Sequence, residues 1–157
     1  MKPKKVVEKI SAESKILNAP FAIQGIFVNN FHIRIPKITY DVRKCEITYN
    51  VSPLIKYKIQ DDLALIKSEL KGDIHETNEI ILEAEVAFTS KVHDLNKLMT
   101  EVDKDKWDFI DQKNKGILTS LLSVSLSTLR GIVFERVKGT IMDGKFIPVV
   151  NPNIFFK

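Results

Sequence analysis

Ile80-Ile81-Leu82-Glu83-Ala84-Glu85-Val86-Ala87-Phe88-Thr89-Ser90-Lys91-Val92 is the stretch that decides the fold. Ile80, Leu82, Ala84, Val86, Phe88 and Val92 fall on one side of an alternation, and Glu83, Glu85, Thr89 and Lys91 on the other. A side-chain period of two with one apolar and one charged face is a half-buried strand. The turn residues His75-Glu76-Thr77-Asn78 mark where it begins.

Three further segments upstream carry strand character. Ile23, Gly25, Phe27, Asn29, Phe31, Ile33 and Ile35 alternate with their neighbours up to Pro36, which predicts a long first strand. Leu54, Lys56 and Lys58 alternate with Ile55, Tyr57 and Ile59, an amphipathic strand with one wet face. Leu63 to Gly72 has helical spacing as well, through Leu63, Ile66, Leu70 and Ile74, and is read as a strand. The stretch 36–50 connects the first two, with Glu46 to Val51 extended. Four strands with short links and no helix between them predict an antiparallel meander, not a parallel βαβ sheet.

From Asn96 the sequence reads as helical: Asp103 to Gln112 is highly charged around Trp107, Phe109 and Ile110, and a long helix follows over Lys115 to Val137. Leu118, Leu121, Leu122, Leu126, Leu129, Ile132 and Val133 recur at three and four, giving that helix an apolar stripe. Its other face carries Ser120, Ser123, Val124, Ser125, Ser127 and Thr128 where a surface helix would show Lys and Glu. Hydroxyls that fold back onto the backbone let another helix approach closely, so this face either meets another subunit or is buried within its own domain. After Gly139 the chain turns at Asp143-Gly144 and continues through Phe146-Ile147-Pro148-Val149-Val150-Asn151-Pro152-Asn153-Ile154-Phe155-Phe156. Two prolines four residues apart exclude regular helix and predict an extended tail pinned by its aromatics.

The class is therefore α+β: a four-stranded antiparallel meander, a long helix packed on it, and an extended C-terminal tail. With 157 residues the chain suits one domain, read as 20–157, preceded by an arm or short helix over 1–19. No run reaches the ~18 or more uncharged apolar residues of a membrane span, and charges at Glu8, Lys9, Glu13 and Lys15 interrupt any signal-peptide core. The single Cys45 excludes an internal disulfide and suits a reducing compartment, so the cytoplasm is expected. The net charge of +4 comes from 24 Lys/Arg interleaved with 20 Asp/Glu, without the unopposed basic stripe that nucleic acid requires.

Catalytic signatures are missing. Gly25, Gly72, Gly116, Gly131, Gly139 and Gly144 are scattered and form no phosphate loop. His32, His75 and His93 sit on different segments without ligand spacing, and nothing near Cys45 activates it as a nucleophile. Asp103, Asp105, Asp108 and Asp111 lack the glycine of a calcium loop. The expectation is a protein that is not an enzyme, with no cofactor and no metal.

Three stretches carry a family resemblance: Phe21-Ala22-Ile23-Gln24-Gly25-Ile26-Phe27-Val28, the helix Leu118 to Gly139 with its Lys138-Gly139-Thr140 end, and Phe146-Ile147-Pro148-Val149-Val150-Asn151-Pro152. In this order they resemble the first strand, long helix and Pro-Val-Asn segment of the bacterial protein-export chaperone SecB and its wider SecB-like family. The resemblance covers Phe21 to Phe156. It implies a homotetramer that keeps unfolded polypeptides soluble without ATP, with Ser120, Ser123, Val124, Ser127 and Thr128 at the oligomer interface. Phe21, Phe27, Phe31, Trp107, Phe109, Phe146 and Phe155 are the aromatics expected to contact clients. The export chaperone is acidic and continues into a second helix, whereas this chain is basic and stops at Lys157. That difference favours a relative serving another partner, such as the antitoxin-protecting chaperones, over docking to the export motor. Two other functions fit the same sequence: a small-molecule-binding or enzymatic α+β domain using Cys45 or a histidine, and an adaptor whose edge strand completes a partner's sheet.

Overall fold

The structure is a computed structural model that describes residues 21–37, 41–104, 106–110 and 114–156; the expected arm over 1–19 lies outside them. Four strands form one antiparallel sheet: β1 (Phe21–Ile33), β2 (Ile47–Lys58), β3 (Leu63–Ile74) and β4 (Glu79–Val92). The ambiguous 63–72 segment is thus a strand, and its register with both neighbours places Ala64, Ile66, Ser68, Leu70 and Ile74 on the buried face. Helical spacing was available to it, but alternation wins because β2 and β4 offer a partner on each edge.

The strand order is β1-β4-β3-β2. β2, β3 and β4 make the meander, joined by tight turns at Asp62 and Asn78, both in the left-handed region at φ 56° and 54°. β1 reaches the far side of β4 through the long connection that follows Ile33, so it pairs with the last strand and not the second. Among the described residues, β4 and β3 have neighbours on both edges. Pro53, which has no N–H to give a ladder, sits in the edge strand β2, and β1 is irregular at 23–25 and 28–30.

After β4 comes a single helical turn α1 (Leu95–Leu98), then a hairpin of β5 (Met99–Asp103) and β6 (Lys106–Phe109). Here the helical reading of 103–112 fails. Trp107 and Phe109 face inward while Lys106 and Asp108 face out, a period of two that is too short to stand out among so many charges. The hairpin puts Met99 and Phe109 into a cluster with Ala64, Ile66, Phe88, Val92 and Leu95.

α2 (Lys115–Arg136) then crosses the sheet and covers β3 and β4. Leu121, Leu122, Leu126, Leu129 and Val133 are buried against it, each worth about 1.5–3 kcal/mol in apolar transfer. By length and composition α2 could also cross a membrane, with mean hydropathy 1.6 over its most apolar window, although a core helix of a globular protein passes the same test. Gly139, at φ +72°, reverses the chain just after the helix, where a side chain would be strained. The tail runs back along α2, extended through Val150, and closes in a 3-10 turn over Pro152–Phe156 that the extended reading did not include. Lys145 Nζ ties it down by donating to the carbonyls of Arg43 and Cys45.

One polar pair interrupts the core. Ser68 and Ser125 are fully buried, with their hydroxyls 2.8 Å apart. They sit where the cluster containing Leu70, Val86 and Leu129 meets the one containing Ile66, Phe88 and Leu122. Ser125→Ala should cost about 1–2 kcal/mol because it strands the Ser68 hydroxyl, whereas Ser68→Ala/Ser125→Ala should cost less than the two single changes summed. Urea unfolding of the four proteins measures the coupling, and strict additivity would mean the two hydroxyls are satisfied separately.

Candidate functional site

The residue pattern of α2 leaves it two faces. The leucine stripe is consumed by the sheet, and the opposite side presents Ser120, Ser123, Val124, Ser127, Gly131 and Phe134 with no charge between Gly116 and Leu129. The tail lies beside this face, fixed where Arg130 Nε donates to the Ile147 carbonyl at 3.1 Å. Along this face lies a trough of three shallow cavities, two between helix and tail and one on the helix alone. About 290 Å³ lies against Gly131, Phe134 and Phe146, about 320 Å³ against Arg130, Val149 and Pro152, and about 400 Å³ against Val124 and Thr128. Ser127 lines all three.

Aromatic surface stands at one end of the trough. Phe134 and Phe146 stack at 5.8 Å between centroids and 20° between planes, yet 47% and 69% of each remains exposed. Lys138 Nζ lies 5.0 Å from the Phe134 ring. Val149, at 80% exposed, extends the apolar surface along the tail. Exposed aliphatic and aromatic groups lining a polar-edged concavity are what a binding surface for extended apolar chain looks like.

The structure therefore places Ser127 beside Phe146 and Ser123, Val124 and Thr128 around a neighbouring cavity, while Ser120 lies exposed on the same side of α2. It does not unite the other aromatics. Phe27 is 54% exposed on the far face of the sheet. Phe31 is half-buried beneath the Arg136 guanidinium, 5.3 Å from its ring. Phe21, Trp107 and Phe155 pack part-buried on the cluster under the hairpin, and Phe109 is only 7% exposed within it. Phe134 was missed by the sequence reading; its place in line with Ser123 and Ser127 on a helical wheel was the available signal.

Several titratable groups are held by local partners. Cys45 is half-buried and its thiol donates to the Asp41 carbonyl at 3.6 Å. His75 Nδ1 is hydrogen-bonded to Thr48 Oγ1 at 3.1 Å, and His93 lies 3.6 Å from the Asp94 carboxylate. Burial, with the Asp108 carboxylate adding to it, pushes the Tyr57 phenol up to about 12, so it stays protonated in its edge contact with Phe109. A cavity of about 1010 Å³ opens between Ile35, Val42 and the turn 139–144, but its polar groups are already engaged. Asp41 accepts from Arg43 Nε at 3.1 Å, a hydrogen bond that lowers its carboxyl pKa, and Asp143 accepts from Gly139 N–H at 3.0 Å.

A twisted four-stranded antiparallel sheet of order β1-β4-β3-β2, covered on one face by a long helix, defines a SecB-like fold. The solved structure that carries this comparison is the SecB-like chaperone of Mycobacterium tuberculosis in complex with a ChAD peptide from the HigA1 antitoxin. It superposes with a TM-score of 0.57 at 10% identity, covering 86% of this chain and 91% of that one. A protein of unknown function from Streptococcus agalactiae matches with a TM-score of 0.41 at 13% identity, over 83% of this chain and 94% of the other. No protein-family model and no curated protein matches the chain.

Proposed function

We propose that this protein is an ATP-independent chaperone, a holdase that binds unfolded or extended polypeptides, and that it is not an enzyme. The observation that carries the reading is the trough beside α2: exposed Phe134, Phe146 and Val149 beside the hydroxyls of Ser123, Ser127 and Thr128, with Arg130 and Lys145 at its edge, on a SecB-like fold. Helical serines and threonines can bond back to the carbonyl one turn earlier, as Ser120 Oγ does to Gly116 at 2.9 Å, and a floor of such hydroxyls would accept apolar chain without demanding a sequence. The structural neighbour binds an antitoxin peptide, which favours a role in antitoxin protection over protein export here. The working form in this reading is a homotetramer in the cytoplasm, with the Ser/Val face of α2 shared between trough and subunit contact.

The experiment is light scattering during refolding of an aggregation-prone model protein, without nucleotide, alongside the solution mass of this chain. Suppression by a species larger than a monomer is expected. Phe134→Ala/Phe146→Ala should weaken the suppression several-fold while leaving the unfolding midpoint within about 0.5 kcal/mol, since both rings are substantially exposed. A monomer that leaves aggregation untouched would sink the reading. The adaptor alternative rests on β1, a 13-residue strand with no strand on its outer edge among the described residues, and would be favoured by one folded partner bound in fixed ratio.

A further inference from the structure

The face of the sheet away from α2 divides into two halves of different chemistry. On three adjacent rungs the register lines up Phe27, Ala87, Lys67 and Leu54, then Gly25, Thr89, Leu65 and Lys56, then Ala22, Lys91, Leu63 and Lys58. These rungs carry four lysines and no carboxylate. The next rung, Asn30, Glu85, Glu69 and Ser52, begins the acidic half. Lys67 forms the boundary, bonded to Glu85 at 2.8 Å and Glu69 at 3.1 Å; those hydrogen bonds hold its ammonium pKa above the ordinary value, and the Lys67 bond lowers that of Glu85. Lys58 pairs with Asp61 in the turn that follows β2.

Lys56 and Lys91 have no ion-pair partner among the described residues. They flank Leu65 and Leu54, the latter 49% exposed, and Phe27, whose ring lies over Gly25 so closely that a Cβ there would sit 2.9 Å from it. Successive rungs on one face are about 7 Å apart and strands nearly 5 Å, so the patch measures roughly 14 Å each way. Like charges gathered on neighbouring strands repel, and apolar side chains left in water gain nothing from folding. Neither is explained by the stability of this chain, and both are relieved by a ligand that is acidic and apolar at once.

We propose that this half of the outer face docks a polypeptide segment in which acidic and apolar side chains alternate, at a site separate from the trough on the opposite side of the molecule. The charge is what selects the occupant. The chain's own residues 1–20 hold five lysines against two glutamates and are not complementary. This proposal stands apart from the holdase reading, because it uses none of the trough residues.

The probe is a fluorescein-labelled decapeptide alternating glutamate with leucine, followed by anisotropy on the whole chain. Its counterpart with lysine for glutamate, a ten-nucleotide single strand of thymidines, and phosphatidylglycerol vesicles are the controls. Binding of the acidic peptide is expected, weakened about tenfold by Lys56→Glu/Lys91→Glu and weakened again by Leu54→Ser, with the unfolding midpoint and the suppression of aggregation unchanged. No binding, equal binding of the basic peptide, or tighter binding of the oligonucleotide or vesicle overturns the proposal. So does binding that ignores Lys56→Glu/Lys91→Glu and falls with Phe134→Ala/Phe146→Ala, which would place the peptide in the trough.

Discussion

Phe88→Ala should lower the stability of the fold by about 3–5 kcal/mol, a large part of the 5–15 kcal/mol available to a domain of this kind. Phe88 lies on β4, paired to Ile26 of β1 and Ile66 of β3, and is 1% exposed. Its cluster collects residues from four parts of the chain: Ile66 from β3, Leu95 from α1, Phe109 from β6, and Leu121 and Leu122 from α2. Removing the ring leaves a cavity that two rigid layers cannot close, so the transfer and cavity costs add. Urea unfolding should show a lower midpoint with an unchanged slope, and thermal unfolding a drop of about 10 °C. Ile26→Ala, on the neighbouring strand but half exposed, should cost under about 1.5 kcal/mol. Similar losses for the two would mean that the core is not centred on the hairpin end of α2.

The position of Phe88 was legible in the sequence, because β4 alternates over its whole length between two groups of different polarity. Its neighbours were not. Period two tells which face a side chain takes and says nothing about which strand lies beside it. The clue to strand order lay elsewhere. β4 buries Ile81 and leaves Ala87, on the face away from α2, only 7% exposed, which suits a strand hemmed in on both edges, while Pro53 marks β2 as an edge. The hairpin of β5 and β6 escaped notice because each strand is only four or five residues long and mostly charged outward. That miss also governs the aromatic predictions. Phe109 reads as one more aromatic in a charged segment, and only the hairpin folding under the sheet buries it, whereas Phe146 stays exposed because Pro148 keeps the tail extended past it. The hydroxyl face of α2 was read directly for Ser123 and Ser127, since 3.6-residue periodicity separates them from Leu122 and Leu126; Ser125, read on the same face, instead lies in the core against Ser68, in line with Leu121 and Leu129.

That same face sets the second large effect. Over Gly116 to Leu129 α2 carries no charge, and half its circumference is not covered by the sheet, so its solvent side resembles an interior more than a surface. In a two-fold contact each residue near the axis faces its own copy, so one substitution acts twice. Val124→Asp/Ser127→Asp would bring four carboxylates together in a helix–helix seam where desolvation strengthens their repulsion. Several kcal/mol of repulsion corresponds to a dissociation constant raised a hundredfold or more, which at micromolar protein converts an oligomer to a chain of 17.9 kDa. Size-exclusion chromatography with light scattering reads the mass directly. The monomer should keep its fold, because Val124 and Ser127 lie outside both apolar clusters, and urea unfolding extrapolated to low protein concentration checks that. An unchanged mass, or a wild-type chain already at 17.9 kDa, would show that α2 meets no second copy; the trough would then stand open along its whole length and the aspartates would act on client binding alone.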